Sequence, residues 1–234
     1  MGIREYTNWN KRLADTEERQ NPFRKYYIIC EGANTEQHYF KRLIDNRKEL
    51  GIKSTIDICL LEKEGQDRSV SYPLDLINLA EAQKKSGNIS FDKRYDKMIV
   101  VFDADIFEYR SNRYDEVIGL GEEKGSILGV SNPSFELFLL LHLEDAIKTI
   151  IIPFEDEFLK EENLHANGFA LTKLRESTGI NPKRNPRIGE LADNVLLAID
   201  HEKEINQDIY KCKGKVTSNI GVIIQGIIDD DGSE

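Results

Sequence analysis

Lys97-Met98-Ile99-Val100-Val101-Phe102-Asp103-Ala104-Asp105 is the stretch from which the fold is read. A short, unbroken apolar run closed by an acidic turn is the pattern of a strand buried on both faces, and such strands belong to parallel sheets. Working outward, Tyr26-Tyr27-Ile28-Ile29-Cys30 repeats the pattern and ends in Glu31-Gly32. Residues 55–61 and 126–130 supply two more strands. Helical patterns fill the gaps. Residues 35–47 carry Tyr39, Phe40, Leu43 and Ile44 on one side and can be capped by Asn34 or Thr35. Residues 73–85 carry Leu74, Ile77, Leu79 and Ala80 and stop at Ser86-Gly87-Asn88. A weaker helix covers 113–123, and Ser131-Asn132-Pro133 opens a strongly apolar one over 134–143.

Strand and helix thus alternate four times, which predicts an α/β, Rossmann-like fold. Its sheet is expected to be mainly parallel, four-stranded and flanked by helices. Beyond residue 144 the pattern turns helical, over 154–163, 169–178, 188–204 and 219–228, broken by a rigid basic loop at Asn181-Pro182 and Asn185-Pro186. The expected organisation is an N-terminal extension (1–23, with one short helix before Pro22), an α/β core (24–145), a helical cap packed on it (146–228) and a frayed acidic tail (229–234).

The 234 residues are 39% apolar and 32% charged, with a net charge of −10. That charge argues against coating nucleic acid by bulk electrostatics, not against an enzyme with a local cationic patch. Lys173, Arg175, Lys183, Arg184 and Arg187 form such a patch around one acid, Glu176, and Lys211, Lys213 and Lys215 form a shorter one. Both also read as solvated faces. The charged N-terminus has no apolar core of a secretory signal, and no apolar run reaches membrane-spanning length, so a cytoplasmic protein without membrane association is expected. Cys30, Cys59 and Cys212 have neither zinc nor disulfide spacing.

Ligands of open parallel sheets bind beyond the carboxyl ends of the strands. Here those ends carry Glu31-Gly32, Asp103-Ala104-Asp105, and Ser131-Asn132-Pro133 with Glu136 just beyond. Asp103 and Asp105, two apart on an extended chain, are expected to project to one side. Carboxylates that close repel unless a cation intervenes, and a hard divalent ion with oxygen ligands answers that need. Glu31, Asp103, Asp105 and Glu136 are the candidate ligands of Mg²⁺ or Mn²⁺ and the candidate catalytic residues. Asp-x-Asp also occurs as ordinary turn chemistry, and Glu136 also suits the positive end of a helix. Glu36 is close enough to back a ligand or act as a base. His142 shares a face with Phe135, Phe138 and Leu139, as a core histidine or one supporting the site. His38 reads either way, His165 and His201 have no motif, and Tyr6 and Trp9 are too sparse for base stacking.

Three segments resemble the motifs of the RloB-like family: Ile28-Ile29-Cys30-Glu31-Gly32-x-x-Thr35-Glu36-x-x-Tyr39-Phe40, Val100-Val101-Phe102-Asp103-Ala104-Asp105, and Ser131-Asn132-Pro133-Ser134-Phe135-Glu136-Leu137-Phe138-Leu139-Leu140-Leu141-His142. Thr217-Ser218-Asn219 before an apolar helix is similar to the family's C-terminal end, and the resemblance spans roughly residues 24–228. It implies a Toprim-like fold in which Glu31 is the glutamate after the first strand and Asp103 and Asp105 are the metal carboxylates. Glu136 resembles the additional glutamate of nucleases of the overcoming-lysogenisation-defect type. By the same resemblance the chain is expected to be a Mg²⁺-dependent nuclease on RNA or DNA and an effector of bacterial anti-phage abortive infection, paired with an ABC/SMC-like ATPase. Lys173, Arg175, Lys183, Arg184 and Arg187 would then contact phosphates. No lysine is placed as general acid, and oligomeric state stays open. Two rivals remain: a haloacid-dehalogenase-type phosphatase with Asp103 as nucleophile, although Phe107 stands where that motif carries Thr or Val, and a non-catalytic Toprim-like module that senses a nucleotide or docks on a partner.

Overall fold

The computed structural model describes residues 2–6, 23–109, 111–160 and 168–232. The four expected strands are present as β2 (Arg24–Cys30), β3 (Ile56–Glu64), β4 (Lys97–Asp103) and β5 (Ser126–Asn132). They pair in parallel, β3 with β2, β2 with β4 and β4 with β5. The sheet is nevertheless mixed and six-stranded, in the order β1-β3-β2-β4-β5-β6. Its added edges, β1 (Gly2–Glu5) and β6 (Thr217–Ser218), are antiparallel to their neighbours. Both are short and polar. β1 is tied down by Arg4, whose guanidinium reaches Glu62 of β3 at 2.8 Å, so part of the expected extension belongs to the sheet. The helix expected before Pro22 lies outside the described residues.

Each long strand alternates its side chains between two cores. On one face Tyr26, Ile28, Ile99 and Val101 meet the helices α1 (Thr35–Asp45), α5 (Phe135–Leu140), α8 (Val195–Glu202) and α9 (Ile220–Ile228). On the other, Tyr27, Ile29, Val100 and Phe102 meet α2 (Pro73–Ser86) and α4 (Tyr114–Glu123). A strand covered on both sides has no polar face, which is why these read as solid apolar runs.

The C-terminal half is less regular than its pattern predicts. A π-turn (Ile147–Ile151) and a 3₁₀ turn (Ile152–Phe154) precede α6 (Glu155–Leu159), and the remainder of the expected 154–163 helix, beyond residue 160, lies outside the described residues. α7 (Phe169–Thr178) matches its expectation, whereas residues 188–204 divide into a 3₁₀ segment (Pro186–Asn194) and α8. Leu174, Ile188, Val195 and Ile224 join the first core, so the cap and the sheet share one apolar interior. The acidic end is not frayed at Asp230: its carboxylate accepts from the Arg24 guanidinium at 2.7 Å and from the Tyr26 hydroxyl at 2.6 Å. Among the described residues no helix is long and apolar enough to cross a membrane.

Candidate functional site

The chain runs from β2 outward to β3, then returns to the far side of β2 as β4. The switch point therefore lies between β2 and β4, where such sheets leave a crevice at their carboxyl ends. Glu31 follows β2 and Asp103 ends β4. They are in direct contact, the Asp103 N–H donating to Glu31 Oε2 at 3.1 Å. A cavity of about 690 Å³ opens there, lined by the carboxylates Glu31, Glu36, Asp103, Asp105 and Glu136.

Local chemistry aims each acid. Asp103 Oδ1 accepts the N–H of Phe135 at 2.8 Å, so a carboxylate from β4 serves as the cap of α5, while Ser134, at the N-cap position, makes no side-chain capping bond. Asp105 is not on extended chain as the two-residue spacing implied. β4 stops at Asp103, and Asp105 opens a short helix, α3 (Asp105–Tyr109). It faces the cavity because the turn, pinned by Ala104 N–H to Ser131 O and Asp105 N–H to Pro133 O, redirects it. Neither Asn34 nor Thr35 is seen to cap α1. Asn34 sits at the N-cap without a side-chain capping bond, and Glu36 in the first turn accepts from Gly32 N–H at 2.9 Å. Gly32 leaves room for this bond, since a Cβ there would meet the Glu36 carboxylate as it is placed.

The electrostatics are those of crowded acids. Withdrawal from water, then the charges of Glu36 and Asp105, push the Glu31 carboxyl up to about 8, against the Asp103 N–H and the Lys63 ammonium, which pull it down. Asp103 is driven well above the carboxylate range by withdrawal from water and by Glu31, Glu36, Glu136 and Asp105. Burial raises Glu36 as well, with Glu136 adding to it. The donor set is hard oxygen throughout, the type that suits Mg²⁺ or Mn²⁺. Among the described residues no three of these acids, or of His and Cys, stand as a ready metal-holding group. Ligation at this pocket therefore requires its side chains to be drawn together.

The cap supplies the opposite wall. Gly168, Ala170 and Leu171, at the start of α7, and Lys183 line the cavity. Gly168, at the N-cap of α7, has no side chain with which to cap it. The other expected cations are placed differently. Lys173 pairs with Glu176 at 3.0 Å and lies over the rings of Phe154 and Phe169. Arg187 pairs with Glu190 at 3.1 Å. Arg175 lines a separate, shallower cavity with Glu176, and Arg184 is exposed. Of the five expected phosphate contacts, Lys183 is the one the cavity includes.

His142 is a core residue. Its Nδ1 faces the Phe138 carbonyl at 3.0 Å, which only accepts, so Nδ1 carries the proton and Nε2 accepts from the Tyr39 hydroxyl at 2.9 Å. Burial holds its pKa down at about 4. His201 bonds the Leu141 carbonyl, His38 is half-buried outside the cavity lining, and His165 and Trp9 lie outside the described residues. Sequence reasoning missed Lys63 and Ser71. Lys63 follows Cys59 and Leu61 at two-residue intervals on β3, so strand parity alone placed it on a buried face.

A model of the RloB-like protein family matches residues 26–227. The chain belongs to the RloB-like family. The match covers most of the chain and contains all five pocket acids. No curated protein and no solved structure matches the chain.

Proposed function

We propose that this RloB-like chain is a divalent-cation-dependent nuclease that hydrolyses phosphodiester bonds of RNA or DNA. One observation carries the reading: five carboxylates from separate segments converge on one cavity at the switch point of the sheet. So many acids withdrawn from water and crowded together are costly unless a cation joins them. Glu31, Asp103, Asp105 and Glu136 would hold Mg²⁺ or Mn²⁺. Such an ion lowers the pKa of a bound water and neutralises charge developing on phosphate. The strand arrangement around β2 and β4 agrees with a Toprim-like fold, which we likewise propose.

The chain's own groups do the rest. Glu36, fixed by the Gly32 N–H, is placed to accept a proton inside the cavity. Lys183 and the start of α7 line the cavity wall opposite the acids and would give a phosphate positive partners there. Cap cations already paired with Glu176 and Glu190 contribute little to strand binding. A role in bacterial anti-phage defence under an ABC/SMC-like partner ATPase completes the proposal, on family resemblance.

A second reading is favoured by one feature, the absence of a ready three-acid group among the described residues: a non-catalytic module that uses the pocket to sense a nucleotide or dock a partner. Labelled RNA and DNA incubated with the purified chain and Mg²⁺ or Mn²⁺ separate the two. Cleavage that disappears in a folded Asp103→Ala variant supports the nuclease. Cleavage surviving in that variant refutes the site, and nucleotide binding without any cleavage supports the module.

A further inference from the structure

Lys63, near the C-terminal end of β3, is only 5% exposed. Its Nζ donates to two backbone carbonyls, Glu31 O and Val70 O. Glu31 is the first acid of the pocket, and Val70 immediately precedes Ser71, another lining residue. Lys63 does not itself line the cavity, so it lies behind the wall that Glu31 and Ser71 form.

A buried ammonium is expensive to keep. Carbonyl dipoles satisfy its N–H groups but return no full charge. A methionine or leucine would fill the same stem volume without that cost. Burial lowers the Lys63 pKa, and the acids that oppose this are Glu31 and Glu36. Its position therefore matches two needs at once: a peg joining the end of β2 to the turn before α2, and a positive group beneath crowded acids.

We propose that Lys63 is a positioning residue of the acidic pocket, its ammonium pinning the Glu31 peptide and the Val70 turn while its positive charge offsets the repulsion among the acids in front of it. The inference rests on reading this pocket as the working site. It assigns Lys63 no contact with substrate.

The test is a double-mutant cycle on the full chain in a chelating buffer, with melting temperature as the readout. The variants are Lys63→Met, Glu36→Gln (which keeps the acceptor for Gly32 N–H) and the pair. Lys63→Met is expected to melt several degrees below wild type. Removing the Glu36 charge as well is expected to recover at least half of that drop. Strictly additive shifts, the behaviour of a merely structural peg, would overturn the proposal. If Lys63→Met alone does not fold, recovery of a folded double variant supports the proposal, and a double variant that also fails to fold overturns it. Neither cation nor nucleic acid enters this experiment, so its outcome does not depend on whether the chain cleaves anything.

Discussion

Asp103 and Glu202 are both acids that the fold withdraws from water, and in both this pushes the carboxyl up. They part in everything else. Glu202 lies beneath the start of α9 and accepts from Ser218 Oγ at 2.6 Å, Gly221 N at 2.8 Å, Val222 N at 2.9 Å and Gln207 Nε2 at 3.4 Å. Every influence on it besides burial favours the charged form. Asp103 accepts from Phe135 N, and its remaining influences, four neighbouring acids, oppose the charge. A carboxylate ringed by donors is an anchor, complete within the protein. One ringed by carboxylates is incomplete until something positive arrives.

The sharpest way to break this contrast is to neutralise each acid in turn. Asp103→Asn keeps the acceptor for Phe135 N–H and removes one ionisable acid from the cluster. In metal-free buffer it is expected to be about 1 kcal/mol more stable than wild type. With Mg²⁺ it is expected to cut nucleic acid about a thousandfold more slowly, if at all. A loss of stability on this substitution would show that Asp103 is an anchor after all. Glu202→Ala should behave in the opposite way. It orphans a hydroxyl and two backbone N–H groups at once and is expected to cost about 3 kcal/mol in denaturant unfolding. The surviving folded fraction should keep its metal affinity.

His142 sharpens the contrast from the neutral side, since it too is complete within the protein. Its folded pKa of about 4 lies below its ordinary value of 6.5. The unfolded chain therefore binds the proton first as pH falls, and the stability this residue contributes is full above 6.5 and lost on the way down to about 4. Between pH 7 and pH 5 that amounts to about 2 kcal/mol. The unfolding free energy of wild type should fall by about that much more than that of His142→Gln across the interval. Equal slopes would show that the ring does not titrate as placed.

Gly32→Ala is the mildest probe. The added Cβ meets the Glu36 carboxylate, whose side chain can swing away. The expected loss is about 1 kcal/mol in stability, together with weaker cation binding. Unchanged cation binding would indicate that Glu36 takes no part in the pocket.

The parallel strands were legible because burial on both faces leaves an unbroken apolar run, as in Met98–Phe102 between Lys97 and Asp103. β1 and β6 were not, being four and two residues long and defined by what they pair with rather than by what they contain. Glu31, Asp103 and Glu136 could be picked out because they end or follow strong elements. Asp105 was reached through a spacing that does not apply: five residues of helix leave no readable period, so the sequence suggests extended chain where the backbone turns. Two of the cap cations carry a readable pairing signal. Lys173 with Glu176 and Arg187 with Glu190 stand three apart, the separation at which helical neighbours pair. Lys63 shows the reverse case, a charged residue whose strand parity already assigned it to the interior.

Titration calorimetry with Mn²⁺ as the probe tests the central claim most directly, since it asks whether the crowded acids accept a cation. The account predicts saturable binding to the wild-type chain, lost or greatly weakened in a folded Asp103→Asn variant and retained in Glu202→Gln. No heat of binding in the wild type, or equal binding in Asp103→Asn, would contradict it.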